Sequence, residues 1–458
     1  MKEILTRALT IANNILSHDE ILIVTHIDAD GICSGSIAYE SLERIGKTPK
    51  IMFVKQLDEI TIEKIKNENM FVWFTDLGSG CIEKLTGLDF VISDHHTPSC
   101  KHTLQLNPIE FGYDGTIALS GSGATYLVAS FIKDKKRSLF DFERSNLDLA
   151  QLAVVGSIGD MQDQRFGKLV GINRVILNEA VSKGFIMIQK DLRFFGKQTR
   201  PIAKMLEFNT TPIIPGLSCS ESGSLEFITS LNIDPWVRWI DLDATSKRKI
   251  VSALVRRCME ANLDYETILK LVGECYILTN QPEGTERRDA AEYSTLLNAT
   301  ARHGKPLLGL RVCLGDEEAF KKARNLLRVH RKQLSQGIRL VDEIGIEELE
   351  NLQYFNAGNE ISDTVIGIIA GLVLYKFNVN KPIIAFAETD GGIKVSARAN
   401  YELVEIGLNL AEAMKIAARL VGGIGGGHSV AAGAKIPEGT EGKFLEILDG
   451  IIGEQLKR

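Results

Sequence analysis

Short apolar, β-rich runs recur through the first hundred residues, at Ile21 to Thr25, Ile51 to Val54, Met70 to Thr75 and Phe90 to Ser93. Stretches of helical composition separate them, such as Ser34 to Ile45 and Ile60 to Asn67. This alternation predicts an α/β fold with a parallel sheet. Two further helices follow, one led by Ser120-Gly-Ser-Gly-Ala-Thr and running to about Lys133, the other from Leu147 to Ser157. From about 186 to 335 the pattern is mixed and broken by Pro201, Pro212, Pro215 and Pro235, which marks an inserted region rather than more of the first sheet. A long amphipathic helix is predicted from about Glu317 to Glu343, with Lys321, Lys322, Arg324, Arg328, Arg331 and Lys332 making it basic. After about 345, α/β signals return. They comprise an apolar helix over Thr364 to Tyr375, strands over Pro382 to Ala387 and Gly392 to Ser396 joined through Asp390-Gly391, and a helix over Glu402 to Val421. The predicted division is 1–185, an inserted α/β region 186–315, a basic connecting helix 316–344, and a smaller α/β domain 345–458.

At 458 residues the chain exceeds what one core usually supports, so two or more domains are expected. A composition of 44% hydrophobic and 24% charged residues excludes extensive disorder. No apolar run approaches the roughly 18 residues that span a bilayer, and the first residues carry acid with no apolar core behind them; a cytoplasmic protein without a membrane partner is expected. The seven cysteines contain no Cys-x-x-Cys pair and read as reduced thiols. A net charge of −6 argues against a protein that coats nucleic acid nonspecifically. It leaves room for a nuclease that gathers carboxylates around metal.

Three predicted strands end directly in polar residues, where ligands collect in open α/β sheets. In His26-Ile-Asp28-Ala-Asp30-Gly31, alternate side chains share one face of an extended segment, so a histidine and two carboxylates converge as ligands for adjacent cations. Taken alone the same residues also read as a polar turn with its corner at Asp30-Gly31. Asp76 follows the apolar Phe71-Val-Trp-Phe-Thr and equally suits a turn cap. Asp94-His95-His96 pairs the commonest nitrogen ligand with a carboxylate able to fix its tautomer, and it also suits an exposed loop. Asp160, after Gly159, fits a helix cap as well as a ligand. Convergence of all four segments on one sheet edge favours a metal site. Near the C-terminus, Gly422 to Gly427 excludes an ordinary helix. Consecutive glycines let backbone N–H groups approach an anion, and His428 adds a donor, with a tight turn as the alternative. Ser120-Gly-Ser-Gly reads as a helix start that also faces phosphate. Trp236 and Trp239, three apart, would share a helical face in core or partner contact rather than stack on bases. No Ser-His-Asp triad or catalytic cysteine stands out.

These motifs, in this order, resemble the DHH phosphoesterase superfamily, and within it the RecJ-like single-strand exonucleases of the archaeal type. The resemblance spans most of the chain and is weakest from about 186 to 310, where only Arg288-Asp-Ala to Asn298-Ala carries it. It implies a DHH catalytic domain, a C-terminal DHH-associated domain and a cleft between the two lobes. It also implies two Mn²⁺ ions, with Mg²⁺ as a substitute: His26, Asp28 and Asp76 on one, and Asp30, Asp76, His95 and Asp160 on the other, Asp76 bridging. His96 would face substrate or the bridging water, and Asp94 would orient the pair. Gly425, Gly426, Gly427 and His428 would bind substrate, with Arg398 contacting phosphate. The implied activity is release of mononucleotides from single-stranded DNA or RNA in replication or repair. Two alternatives stand beside it. One is hydrolysis of small nucleotides: short oligoribonucleotides, cyclic dinucleotides or 3′-phosphoadenosine phosphate. The other is a replisome scaffold bound to the GINS complex, because archaeal RecJ-like proteins resemble the catalytically degenerate member of the eukaryotic replicative helicase.

Overall fold

A computed structural model describes residues 1–133, 144–209, 212–374 and 376–457. The chain divides into two compact units, Met1–Leu327 and Arg328–Arg458. In chain order the first begins α1 (Lys2–Leu16), β1 (Ile21–His26), α2 (Ala29–Glu43), β2 (Lys50–Val54), α3 (Glu59–Asn67), β3 (Phe71–Thr75), β4 (Phe90–Ser93), β5 (Gln105–Leu106), α4 (Gly121–Ala129), α5 (Ala150–Gly159) and α6 (Gly171–Ser182). The five strands lie in the order β2-β1-β3-β4-β5, all parallel. Alternate residues of one strand feed two different cores. Ile21 and Ile23 pack with Phe71, Trp73 and the helices α1, α2, α4 and α5, while Leu22 and Val24 pack with Val72, Phe74 and α3. That two-sided burial is why these strands carry no polar face. The order also fixes where ligands gather. Connections leave β1 and β3 in opposite directions, and the space beyond the carboxyl ends of two such neighbours is the switch-point crevice of open sheets.

The middle of this unit is β6 (Ile186–Leu192), α7 (Ile202–Glu207), α8 (Glu221–Ser230), α9 (Ala244–Glu260), α10 (Tyr265–Leu269) and β7 (Val272–Leu278). β6 and β7 pair antiparallel along their full lengths and bracket a small separate core built around Trp239, Leu254 and Ile202. The two tryptophans do not share a helical face as expected. Asp234 accepts the Trp236 N–H (2.9 Å) in a local turn that leaves Trp236 exposed, whereas Trp239 is buried with its indole N–H on Asp191 (2.9 Å). Then come α11 (Ala290–Arg302), α12 (Pro306–Cys313) and α13 (Glu317–Ile344). Ala319, Phe320, Ala323 and Leu327 of α13 pack into the first unit's core, and Leu334, Ile338 and Val341 into that of the second. On the same helix Lys321 pairs with Glu318 (2.7 Å) and Arg324 with Glu286 (2.9 Å).

The second unit contains β8 (Glu347–Glu348), β9 (Gln353–Asn356), α14 (Ile366–Leu374), β10 (Ile383–Thr389), β11 (Gly392–Arg398), α15 (Tyr401–Glu405), α16 (Leu410–Leu420), β12 (Ile424–Gly427), β13 (Ala431–Ile436) and α17 (Glu441–Leu456). Its six strands run β12-β13-β11-β10-β9-β8. The helix expected over 402–421 is two helices, because Gly407 turns through the left-handed region (φ +117°) and Asn409 restarts the helix by accepting the Glu412 N–H (3.2 Å). Tyr375, the expected end of α14, lies outside the described residues. Among the described residues no helix is long and apolar enough to cross a membrane.

Candidate metal centre

Each predicted ligand of the first unit sits where an element begins or ends. His26 closes β1, and Asp28 caps α2 by accepting the Gly31 N–H (2.9 Å). A Cβ on Gly31 would lie 2.2 Å from the His26 carbonyl oxygen, so this turn closes only around glycine. Asp30 is buried in the first turn of α2. Its oxygens accept the N–H groups of Gly121 (2.7 Å) and Ser122 (3.1 Å), the free donors at the start of α4. The Ser120-Gly-Ser-Gly segment thus holds a carboxylate of the protein, rather than facing phosphate as its sequence suggested.

Asp76 follows β3 in the left-handed region (φ +59°), a conformation Asp tolerates better than most residues and one that turns its buried carboxylate into the centre. Its Oδ1 lies 3.4 Å from His95 Nε2 and its Oδ2 3.7 Å from His26 Nδ1. His26 Nδ1 is also 2.9 Å from Asp28 Oδ2. Around His95 Nε2 stand Asp160 Oδ2 at 3.5 Å and Asp30 Oδ2 at 3.9 Å. Asp94 has a different situation. Its Oδ1 accepts the N–H groups of His95 (2.7 Å) and His96 (3.2 Å) and lies 2.8 Å from His96 Nδ1, and its Oδ2 accepts the Ser79 N–H (3.0 Å). With both oxygens engaged, Asp94 shapes the turn that presents the histidines.

The structure therefore brings together His26, Asp28 and Asp76 as one group, and Asp30, His95 and Asp160 as another, with Asp76 reaching both. The donor set fits hard or borderline divalent cations, whose ligand atoms crowd at about 3 to 3.5 Å from one another. Both Asp76 oxygens and His95 Nε2 are buried without a hydrogen-bond partner. Orphans of this kind are costly unless something else satisfies them. The electrostatics agree. Burial opposes charge on His26, yet Asp28 and Asp76 overrule it and push the imidazole up to about 11. Burial likewise opposes charge on His95, and Asp76, Asp160 and Asp30 hold it well above its ordinary value. The Asp94 hydrogen bond raises His96 to about 9. Burial would raise Asp76, but His26 and His95 keep it well below the carboxylate range. Asp30 is pushed well above that range by burial and by Asp76 and Asp160, and burial with the charges of Asp76 and Asp28 lifts Asp160 to about 6. Without an added cation, protons on His26 and His95 offset only part of the carboxylate charge of this cluster.

In the second unit, Arg398 ends β11 opposite Ala431 of β13, and His428 donates its N–H to the Ala431 carbonyl (2.9 Å), so the two lie at one end of that sheet. Gly425, Gly426 and Gly427 form β12 and pair with Ala434, Gly433 and Ala432. Two residues of α11 to which the sequence assigned no role lie beside these groups. Asn298 accepts the Ala29 N–H (2.9 Å), tying α11 to the start of α2. One turn on, Arg302 keeps part of its surface exposed, is held below its ordinary value by desolvation against the opposing charge of Asp28, and makes no hydrogen bond or ion pair among the described residues.

Comparison with known proteins gives a consistent outcome. Residues 20–156 match the N-terminal domain of the DHH family, 194–272 the DHH-CID domain and 350–454 the DHHA1 domain. An uncharacterized protein of Methanocaldococcus jannaschii is 35% identical over 100% of this chain and 99% of its own. Among solved structures, an exonuclease RecJ bound to manganese has a TM-score of 0.61 at 16% identity, covering 98% of this chain and 94% of that one. CDC45 from Entamoeba histolytica has 0.68 at 10% identity, covering 97% of each. RecJ with Mn²⁺ from Thermus thermophilus has 0.60 at 15% identity over 99% of this chain, which spans only 55% of that protein. At these identities the structural likeness is one of fold.

Proposed function

Since the chain belongs to the DHH family, with a RecJ-like succession of DHH, DHH-CID and DHHA1 domains, we propose that it is a two-metal phosphodiesterase releasing mononucleotides from single-stranded DNA or RNA. The observation that carries this reading is Asp76, whose two buried oxygens make no hydrogen bond and face two separate ligand groups, each through a histidine nitrogen. His26, Asp28 and Asp76 would hold one Mn²⁺, and Asp30, Asp76, His95 and Asp160 the second, with Mg²⁺ as a substitute. Ions held there would supply Lewis-acid polarisation of the phosphoryl group and lower the pKa of a water toward neutral pH. His95 Nδ1 faces the Gly115 carbonyl (2.7 Å), which keeps a proton on that nitrogen and turns Nε2 toward the centre. His96, tethered to Asp94 through Nδ1 and open to solvent, directs Nε2 at substrate. The free guanidinium of Arg302 grips a phosphate oxygen beside Asp28. In the second unit Arg398, Gly425 to Gly427 and His428 bind the nucleotide end. The domains follow as 1–185 catalytic, 186–315 an interaction region, 316–344 the connecting helix and 345–458 substrate-binding.

End-labelled single strands digested with Mn²⁺ by wild type, Asp30→Ala and Asp160→Ala test this reading; full activity in both variants refutes it. Faster turnover of a dinucleotide than of a long oligonucleotide selects the small-nucleotide alternative. A second reading, a subunit of a GINS-containing replication assembly, is favoured by the CDC45-like fold, and pull-down with GINS subunits tests it independently of cleavage.

A further inference from the structure

The geometry points to Gln162 as a positioning residue that holds His95 and Asp160 in register and makes the Asp30, His95, Asp160 site the tighter of the two. This rests on the two-metal reading above. Gln162 is fully buried two residues beyond Asp160. Its Nε2 donates to the Gly115 carbonyl (2.9 Å) and to Asp160 Oδ2 (3.2 Å). His95 Nδ1 meets the same carbonyl at 2.7 Å, so one backbone oxygen and one side-chain amide seat two ligands together.

The direction of that amide is dictated from both ends. Gly115 O and Asp160 Oδ2 only accept, so the nitrogen must face them. The Gln162 oxygen then faces Asn173, which donates Nδ2–H at 2.6 Å. Asn173 in turn must present Oδ1 to its other neighbours, and it accepts the Ser120 N–H (3.3 Å) and the Ser157 hydroxyl (3.2 Å). Ser120 caps α4, whose next two N–H groups hold Asp30. One buried network, running Gln162, Asn173, Ser120 and the start of α4, thus anchors all three ligands. In the other group the side chains of His26 and Asp28 are 30% and 42% exposed, against 8% for His95, 1% for Asp30 and 31% for Asp160, and no comparable buried network reaches them among the described residues. Outer partners of metal ligands change affinity by about 10- to 100-fold when removed.

Calorimetric Mn²⁺ titration of the full-length protein tests the inference, with circular dichroism and metal-free melting as checks on folding. Wild type is expected to show two events of unequal affinity. Gln162→Met, which keeps the volume and deletes both polar ends, should weaken the tighter event about 10- to 100-fold and leave the weaker one within about threefold. Asn173→Asp touches no ligand but places a carboxylate oxygen against the Gln162 oxygen, turning the amide over. It should reproduce the same selective loss, and being isosteric it carries the test if Gln162→Met does not fold. Wild-type binding by either folded variant, or equal weakening of both events, overturns the role of Gln162 while sparing the two-ion reading. A wild-type protein that takes up no Mn²⁺ overturns both.

Discussion

Replacing Asp76 by Asn isolates the charge at the point where the two ligand groups meet. Asn has the same shape and, like Asp, tolerates the left-handed backbone at this position, so the fold is spared a cost that Ala would incur. The substitution replaces one of the two oxygens by an NH₂ group, so only one of the two ligand groups can keep an oxygen at this position, while Asp30, His95 and Asp160 stay together. Each ion present at about 100 times its dissociation constant stabilises the folded unit by about 2.7 kcal/mol. An unfolding entropy of about 2.1 cal/mol/K per residue, over the 327 residues of the first unit, amounts to about 0.7 kcal/mol/K. Two ions should therefore raise its melting temperature by about 8 °C and one ion by about 4 °C. Differential scanning fluorimetry with and without Mn²⁺ is expected to show the larger shift for wild type and no more than the smaller for Asp76→Asn. A charge about 4 Å away at an effective dielectric of about 20 is worth on the order of 4 kcal/mol, so nuclease turnover should fall by about 10³. A wild-type Mn²⁺ shift with wild-type turnover in Asp76→Asn would refute the bridging role.

Three further outcomes are expected. His26 and His96 have folded values of about 11 and about 9 against an ordinary value of 6.5, so their stabilisation of the metal-free protein is complete below about pH 6.5 and is lost as pH rises through those values. Melting in EDTA should drop between about pH 6.5 and about pH 11 and stay flatter with Mn²⁺, while Mn²⁺ affinity rises with pH because the ion must displace the His26 proton; an affinity that falls with pH contradicts the assignment. Gly31→Ala forces a methyl group against the His26 carbonyl oxygen and should cost about 1–3 kcal/mol in urea unfolding, with loss of metal binding. Arg302→Ala should raise the KM for oligonucleotide about 10- to 100-fold without changing Mn²⁺ binding, as expected for one charge-assisted phosphate contact; an altered Mn²⁺ isotherm would show that Arg302 instead supports the metal site.

Much of the first sheet was legible because its strands are buried on both faces and so stand out as unbroken apolar runs, each ending in a polar residue: His26, Asp76 or Asp94. The same local chemistry marked Asp28 and Asp30, and the succession of motifs pointed to the family without a single contact being known. Strand order was not legible. Only the pairing of β1 with β3 puts His26 and Asp76 side by side at the switch point, and that depends on how α2 and α3 cross the sheet. Nor could spacing separate Asp94, whose oxygens are spent on backbone N–H groups and His96, from Asp76, whose oxygens make no hydrogen bond and meet only the nitrogens of two other candidate ligands. Gln162, Asn173 and Arg302 were silent because a buried amide or an unpaired guanidinium has no periodic signature; each acquires its role from neighbours distant in sequence, as Gln162 does from Gly115 and Arg302 from Asp28. Local sequence sets which groups can bind a cation or a phosphate, and tertiary packing sets which of them are left unpaired to do so, since a polar group's chemistry is spent wherever a neighbour already satisfies it.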